Sequence, residues 1–179
     1  KRARFRAWLG SARIRLQLDL AFGDAVAVAP ELVQVPTILE ALPAPRVRAY
    51  PREVSVAEKF EAMVKLDVRN SRMKDFHDVW ALARSLPFDG ILLQRAIAAC
   101  FQRRGTPWTE EPPRVLTPAF YRLPPMVAFW HGYVASGSLI VPPPADFADV
   151  GETILAFLGP LRQSIIAFRP FETTWPPGG

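Results

Sequence analysis

The sequence predicts an α+β fold that is predominantly helical. Apolar residues alternate with polar ones from Ile14 to Leu20, which is the period of two expected of a strand with one apolar face. From Pro51 the period changes to that of an amphipathic helix, and two further helical segments follow before Gly105. The chain therefore divides into a strand region, residues 1–50, and a helical region, residues 51–179.

The strand region contains two further features. Basic charge is concentrated at the start, because residues 1–15 hold six of the 22 Lys and Arg residues and none of the 17 Asp and Glu residues. This segment is interpreted either as a patch for phosphate or nucleic acid or as a solvated lead-in to the strand. Gly23 to Pro51 carries five prolines, which exclude a long helix and indicate an edge strand or connector.

Three helices are predicted between Pro51 and Gly105. The first covers about residues 51–66, with an apolar stripe that includes Val56 and Phe60. The second begins with Ser71 as its N-cap, and the third is capped by Asp89 and ends near Gly105.

Prolines weaken the pattern after Gly105. We expect a short helix from Pro118, another over about 126–135, a last one over about 147–168, and a frayed tail from Arg169. The uncharged run from Leu123 to Ala145 contains five prolines, so no membrane span is expected. A single cysteine, Cys100, cannot form an internal disulfide, which favours the cytoplasm. The sequence does not specify an oligomeric state.

A cluster of charges occupies the second helix, in the stretch "NSRMKDFHDVW" at residues 70–80. Lys74 and Asp78 are four residues apart, and Asp75 and Asp78 three apart, so their side chains crowd one edge of the helix. The structural interpretation is a Lys74–Asp78 pair, with Asp75 favoured by the positive N-terminal end of its helix. His77 is interpreted as a packing or surface residue, not as a metal ligand.

A second charged motif lies on the first helix. Glu58 and Lys59 are sequence neighbours, so they diverge by about 100° around the helix and each needs another partner. Two interpretations of Lys59 stay open, a phosphate contact and a lysine that extends over the edge of the core.

Three stretches together resemble the AbiEii family of nucleotidyltransferase-like toxins, which belong to type IV toxin–antitoxin and abortive-infection systems. "IRLQLDLAFGD" is similar to the family's third carboxylate strand, and "YPREVSVAEKFEAM" to its Glu-Lys motif. The third, "NSRMKDFHDVW", fits the R-x-K-D-x-x-D motif through Arg72, Lys74, Asp75 and Asp78. The resemblance spans about residues 13 to 84.

The resemblance implies a nucleotidyltransferase lobe built on a mixed sheet, of which residues 1–50 would be a remnant with its connector, and a helical C-terminal lobe over residues 51–179. It implies Mg²⁺, a nucleoside triphosphate substrate, an RNA or tRNA acceptor and an antitoxin protein as partner. Asp19 would be a metal-site carboxylate. Of the other matching residues, Lys59, Lys74 and Arg72 would bind the nucleotide or its phosphates, and Glu58, Asp75 and Asp78 would position them or the acceptor, with Asp19, Asp75 and Asp78 as the catalytic set.

One departure from the family pattern sets the expected activity. The family's Asp-x-Asp pair does not occur in this sequence, and Asp19 alone cannot assemble a two-metal site. We therefore expect a truncated member or a fragment that is inactive alone. The alternative is a non-catalytic helical module that binds RNA or a protein through Arg13, Arg15 and the Lys74 edge.

Overall fold

The computed structural model describes residues 1–20, 29–39, 41–137, 139 and 141–178. Its first element is an antiparallel hairpin of β1, Arg2–Leu9, and β2, Ala12–Asp19. Gly10 has a φ of 58° at the turn, a left-handed conformation that costs glycine little. The predicted strand is thus present, and the basic segment before it forms its partner strand.

The two faces of the hairpin differ in chemistry. Residues paired across the strands share a face, so the pairs Phe5–Leu16 and Ala3–Leu18 belong to an apolar face. The large apolar side chains of this face are all at least 41% exposed. The described residues therefore leave the apolar face of the hairpin largely uncovered.

The proline-rich segment forms a second small antiparallel sheet. It consists of β3, Glu31–Gln34, and β4, Arg46–Ala49. This agrees with the prediction of an edge strand or connector. Residues 23–28 and 40 of this predicted segment, and residues 21 and 22 before it, lie outside the described residues.

The three predicted helices are confirmed. They are α1, Arg52–Leu66; α2, Met73–Ser85; and α3, Gly90–Arg104, which directly follows the two-residue strand β5, Phe88–Asp89. The Asp89 side chain accepts a hydrogen bond from the Leu92 backbone N–H, and Gly105 ends α3 with a φ of 64°.

The predicted N-cap of α2 is wrong. Ser71 makes no side-chain cap; instead, the Asn70 Oδ1 accepts a hydrogen bond from the Arg72 backbone N–H at 3.0 Å. The fully buried Asn70 amide therefore organises the entry to α2, one residue earlier than the sequence pattern indicated.

The later elements follow the weaker predictions. Short 3₁₀ turns cover Arg114–Leu116 and Phe120–Arg122, the second in place of the helix expected from Pro118. The remaining helices are α4, Pro124–Ala135, and α5, Phe147–Ile166. In the described part of the chain, no helix is both long enough and apolar enough to cross a membrane.

The hydrophobic core lies among the helices. Helix α1 packs on α3, and α2 packs on α5. Phe76 of α2 contacts the rings of Phe120, Tyr121 and Phe147, an aromatic group that joins α2, the second 3₁₀ turn and α5. The predominantly helical α+β class is therefore confirmed.

The C-terminal segment is anchored to this core, contrary to the expected fraying. Strand β6, Thr174–Trp175, pairs with β5, and the Trp175 indole donates a hydrogen bond to the Ala83 carbonyl at 2.7 Å. Gln94 of α3 also donates to the Arg169 carbonyl and accepts from the Phe171 N–H. The tail contacts are non-local, which explains why local sequence pattern did not reveal them.

We expect Gly90→Ala to destabilise the protein by about 1–3 kcal/mol, because overpacking carries that cost. A Cβ at Gly90 would lie 2.2 Å from the Thr173 carbonyl oxygen and 2.6 Å from the Phe171 carbonyl oxygen. The measurement is the free energy of unfolding in urea.

Gly132→Ala is the matched control. A Cβ at this exposed position in α4 would meet nothing within 4 Å, so alanine should stabilise by about 0.5–1 kcal/mol through helix propensity. Equal stability of the Gly90→Ala variant and the wild type would show that the tail does not hold this position.

Candidate functional site

Lys59 of α1 joins the two charged motifs. Its Nζ donates hydrogen bonds to Asp75 Oδ1 at 2.8 Å and to Asp78 Oδ2 at 2.7 Å, both on α2. All three side chains are less than a quarter exposed. Charge-assisted hydrogen bonds of this length are roughly twice as strong as neutral ones, so the cluster fixes α1 against α2.

Lys74 completes the cluster from within α2. Its Nζ donates to both carboxylate oxygens of Asp78, at 2.8 and 2.7 Å. The predicted Lys74–Asp78 pair is therefore present. Since the Lys74 side chain is 72% exposed, this pair contributes little to stability compared with the Lys59 contacts.

The pKa values of the cluster are displaced towards the charged forms. Partial burial by itself would lower the pKa of Lys59, but the hydrogen bonds to Asp75 and Asp78 outweigh it and raise that pKa. Burial likewise opposes ionisation of Asp78, yet the two lysines lower its pKa.

These two shifts define a pH range in which the cluster stabilises the fold. The Asp78 contribution is present above the usual pKa of an aspartate and is lost as the pH falls through the lowered value. The Lys59 contribution is present below the usual pKa of a lysine and is lost as the pH rises through the raised value. Neutral pH lies well inside this range.

A cavity of about 350 Å³ adjoins the cluster. Lys59 and Asp75 line it, so the cluster forms part of its wall. The other lining residues come from α1, from the entry to α2 and from the end of α3: Ser55, Glu58, Ala62, Arg72 and Arg104. Residues of both predicted motifs thus meet at one concave site.

Glu58 faces α3, about 100° around α1 from the Lys59 contacts with α2. Its carboxylate is 3.6 Å from Arg103 and 3.7 Å from Arg104 on α3. The prediction that Glu58 and Lys59 require separate partners is confirmed. Glu58 therefore neutralises arginine charge at the cavity.

Glu61 is a residue of this region that the sequence interpretation missed. Its side chain is fully buried, and it accepts hydrogen bonds from Arg104 at 2.9 Å and from the Thr106 hydroxyl. The available signal was its position: Glu61 is four residues after Ala57 and three before Val64, which places a carboxylate in the apolar stripe of α1.

Arg72 is the cation of the cavity that lacks a protein counter-charge. Its backbone N–H is held by Asn70, but its exposed guanidinium forms no hydrogen bond or ion pair with the described residues. The other cations that line the cavity, Lys59 and Arg104, are paired with carboxylates. Arg72 therefore gives this cavity an uncompensated positive charge.

Asp19 lies on the hairpin and has different partners. Arg2 donates to its carboxylate from Nε at 2.6 Å and from the second guanidinium nitrogen at 3.1 Å, and Gln17 donates at 3.0 Å. The hydrogen bond from Arg2 lowers the pKa of Asp19 below its usual value. Within the described ranges, no hydrogen bond or ion pair links Asp19 to the cavity residues.

His77 points into the helical core. Its Nδ1 lies 2.8 Å from the Tyr133 hydroxyl and its Nε2 lies 2.8 Å from the Val141 carbonyl oxygen. Both ring nitrogens are thus engaged by protein groups. This agrees with the interpretation of His77 as a packing residue.

Comparison with known proteins identifies the family. A sequence model described as "Nucleotidyl transferase AbiEii toxin, Type IV TA system" matches residues 1–144 of the 179. The chain belongs to the AbiEii family. No curated protein and no solved structure matches it. The AbiEii match covers the hairpin, both charged motifs and α4, and it ends before α5.

Membership in the AbiEii family confirms the resemblance predicted from the three motifs. The family description identifies a nucleotidyltransferase toxin of a type IV toxin–antitoxin system, which implies a nucleotide substrate and an antitoxin partner. The roles of individual residues in this chain stay predictions.

The family also implies a divalent metal, and the described residues do not fit one. No group of three or more His, Cys, Asp or Glu side chains among them could hold an ion. Asp75 and Asp78 enclose the Lys59 ammonium, and Asp19 is bound by Arg2, so their oxygens already contact cationic side chains. We therefore derive no step through a metal at these residues.

We expect Lys59→Met to destabilise the protein by about 1–3 kcal/mol, because the partly buried carboxylates would lose their hydrogen-bond donor. The substitution leaves Asp75 and Asp78 facing each other without the ammonium between them. Chemical unfolding at neutral pH measures the effect.

Lys74→Met is the control, because it changes the same charge and also contacts Asp78. Its exposed pair should be worth less than about 1 kcal/mol. Equal losses for the two variants would contradict the central position of Lys59.

Proposed function

We propose that this chain supplies the phosphate-binding part of an AbiEii nucleotidyltransferase that acts on a nucleoside triphosphate and an RNA or tRNA acceptor in the cytoplasm. The observation that supports it is the cavity itself. The Glu-Lys and R-x-K-D-x-x-D motifs meet there, and Arg72 projects an unpaired guanidinium beside a lysine held by two carboxylates. Such a site is suited to an anion of limited size.

In the proposed reaction an acceptor hydroxyl oxygen attacks the α-phosphorus of the triphosphate. The bond from that phosphorus to the bridging oxygen breaks, pyrophosphate leaves, and the hydroxyl proton is released. Positive groups that bind the phosphates stabilise the negative charge that develops on the leaving group. This is the contribution we assign to the cavity.

Arg72 carries the first proposed role. A planar guanidinium binds phosphate oxygens through two parallel hydrogen bonds, and at Arg72 no described carboxylate competes for them. The hydrogen bond from the Arg72 backbone N–H to the Asn70 side chain fixes the backbone position from which the Arg72 side chain extends. Arg72 is therefore proposed as the principal phosphate contact.

Lys59 carries the second role. An ammonium has three N–H donors, and Asp75 and Asp78 each accept one. We propose that the third donor faces a phosphate oxygen. Asp75 and Asp78 are then positioning residues that hold Lys59, while exposed Lys74 contacts the nucleotide from the edge of the cluster and Glu58 supports the opposite wall.

We expect Arg72→Gln to weaken binding of a nucleoside triphosphate about tenfold or more, since a hydrogen bond to a charged group contributes about 1.5–3 kcal/mol. Calorimetric titration with ATP, GTP, CTP and UTP measures it without any transfer. Arg122→Gln removes the same charge from an exposed position elsewhere and should bind as the wild type does. If none of the four triphosphates bound, the proposal would be overturned. Equal losses of triphosphate affinity in the two variants would show that the cavity is not the binding site.

We expect no metal-dependent transfer of labelled nucleotide to total tRNA by this chain alone. The reason is that no three metal-ligating side chains come together among the described residues. The assay uses each α-labelled triphosphate with Mg²⁺ and follows label in the RNA. Robust labelling that disappears in Asp19→Ala would show that Asp19 does take part in a metal site.

A further inference from the structure

One face of the N-terminal hairpin is rich in arginine, with five arginines among its eight residues. In the β1–β2 register, alternate residues share this face, and opposite partners point to the same side. Its members are Arg2, Arg4, Arg6 and Trp8 of β1 and Arg13, Arg15, Gln17 and Asp19 of β2. We call this set the arginine face.

The charges of the arginine face are not balanced within the described chain. Arg2 is paired with Asp19, and Arg4 donates to the neutral Gln17 at 3.3 Å. Arg6, however, stands directly opposite Arg15, and Arg13 stands opposite Trp8. For Arg6, Arg13 and Arg15, no carboxylate partner is found in the part of the chain that the structure describes.

Like charges directly opposite each other destabilise an antiparallel pair. The Arg6–Arg15 pair therefore works against the hairpin unless an anion lies between the guanidiniums. A two-stranded ribbon is itself only marginally stable, so this cost matters. The arrangement indicates a ligand that carries several negative charges along an extended surface.

We propose that the arginine face binds single-stranded RNA. Arg6, Arg13 and Arg15 contact successive phosphates, and Trp8 stacks on a base. The choice of RNA as the polyanion rests on the proposed function, in which RNA is the acceptor. The binding itself does not require the transfer reaction.

Trp8 is the residue that favours a single strand over a duplex. Its side chain lies on the arginine face and is 66% exposed. Stacking on an aromatic ring requires a base that has left its neighbours, which single strands provide and duplexes do not. Arginines that follow the backbone around an aromatic platform are the usual composition of such a surface.

The test is fluorescence anisotropy of a short labelled RNA without secondary structure, titrated with the full chain between about 50 and 200 mM salt. The variant Arg6→Gln/Arg13→Gln/Arg15→Gln should bind about tenfold or more weakly. The magnitude of its salt slope should fall by about 2, since each phosphate contact on a single strand contributes about 0.7. Circular dichroism checks that the helical content is unchanged.

The matched control is Arg95→Gln/Arg122→Gln/Arg169→Gln, which removes the same net charge from exposed positions outside the hairpin. It should retain most of the affinity. Equal losses in the two triple variants would mean that net charge alone drives binding, and the proposal would be overturned.

Trp8→Leu tests the stacking role, with Trp8→Phe as the conservative variant. We expect about fivefold or greater loss of RNA affinity with leucine and partial recovery with phenylalanine, because any flat ring can stack.

Tighter binding to duplex RNA than to the single strand, or binding to anionic lipid vesicles with none to RNA, would also overturn the proposal. The Arg6→Gln/Arg13→Gln/Arg15→Gln variant should keep the wild-type affinity for triphosphates, which distinguishes this proposal from the cavity proposal. If the variant lost its affinity for both RNA and triphosphates, the arginine face would belong to the nucleotide site and the proposal would be overturned.

Discussion

The Lys59 ammonium between Asp75 and Asp78 is the contact on which the geometry of the candidate site depends. It is partly buried, and such a charge is tolerated only when carboxylates replace its lost water. Its two short hydrogen bonds to Asp75 and Asp78 fix the position of α1 relative to α2. Arg72 lies three residues before Asp75, so the same contact also brings the unpaired guanidinium to the cavity.

Helix α1 is held on two sides by ion pairs of opposite polarity. Lys59 supplies a cation to the carboxylates of α2, whereas Glu58 and Glu61 supply carboxylates to the arginines at the end of α3. Neighbouring residues serve different helices because each step turns the side chain by about 100°. A single short stretch, residues 58–61, therefore links three helices around one cavity. Of the charged side chains that line this cavity, Arg72 alone has no partner of opposite charge among the described residues.

Local signals explain which parts of this fold could be predicted. Helix periodicity, the Asp89 cap and the Gly105 stop are encoded within a few residues, and they were predicted correctly. Ser71 is not the cap, because the buried Asn70 side chain accepts the hydrogen bond from the Arg72 backbone N–H. The need of Lys59 for a partner was evident from sequence, but its choice of Asp75 and Asp78 depends on how two helices pack. Strand β1 had a signal, alternating arginines before Gly10, that the charge pattern obscured.

The three carboxylates predicted as the catalytic set share one property in this structure. Asp19 is held by Arg2, while Asp75 and Asp78 are held by Lys59, and Asp78 also by Lys74. Each thus neutralises a cation of its own chain. We assign ligand contacts instead to arginines that have no carboxylate partner among the described residues: Arg72 in the cavity and Arg6, Arg13 and Arg15 on the hairpin. In the proposed function the two kinds of charge therefore have different roles: the acids hold cations that support the fold, and these four arginines bind the phosphates of the ligand.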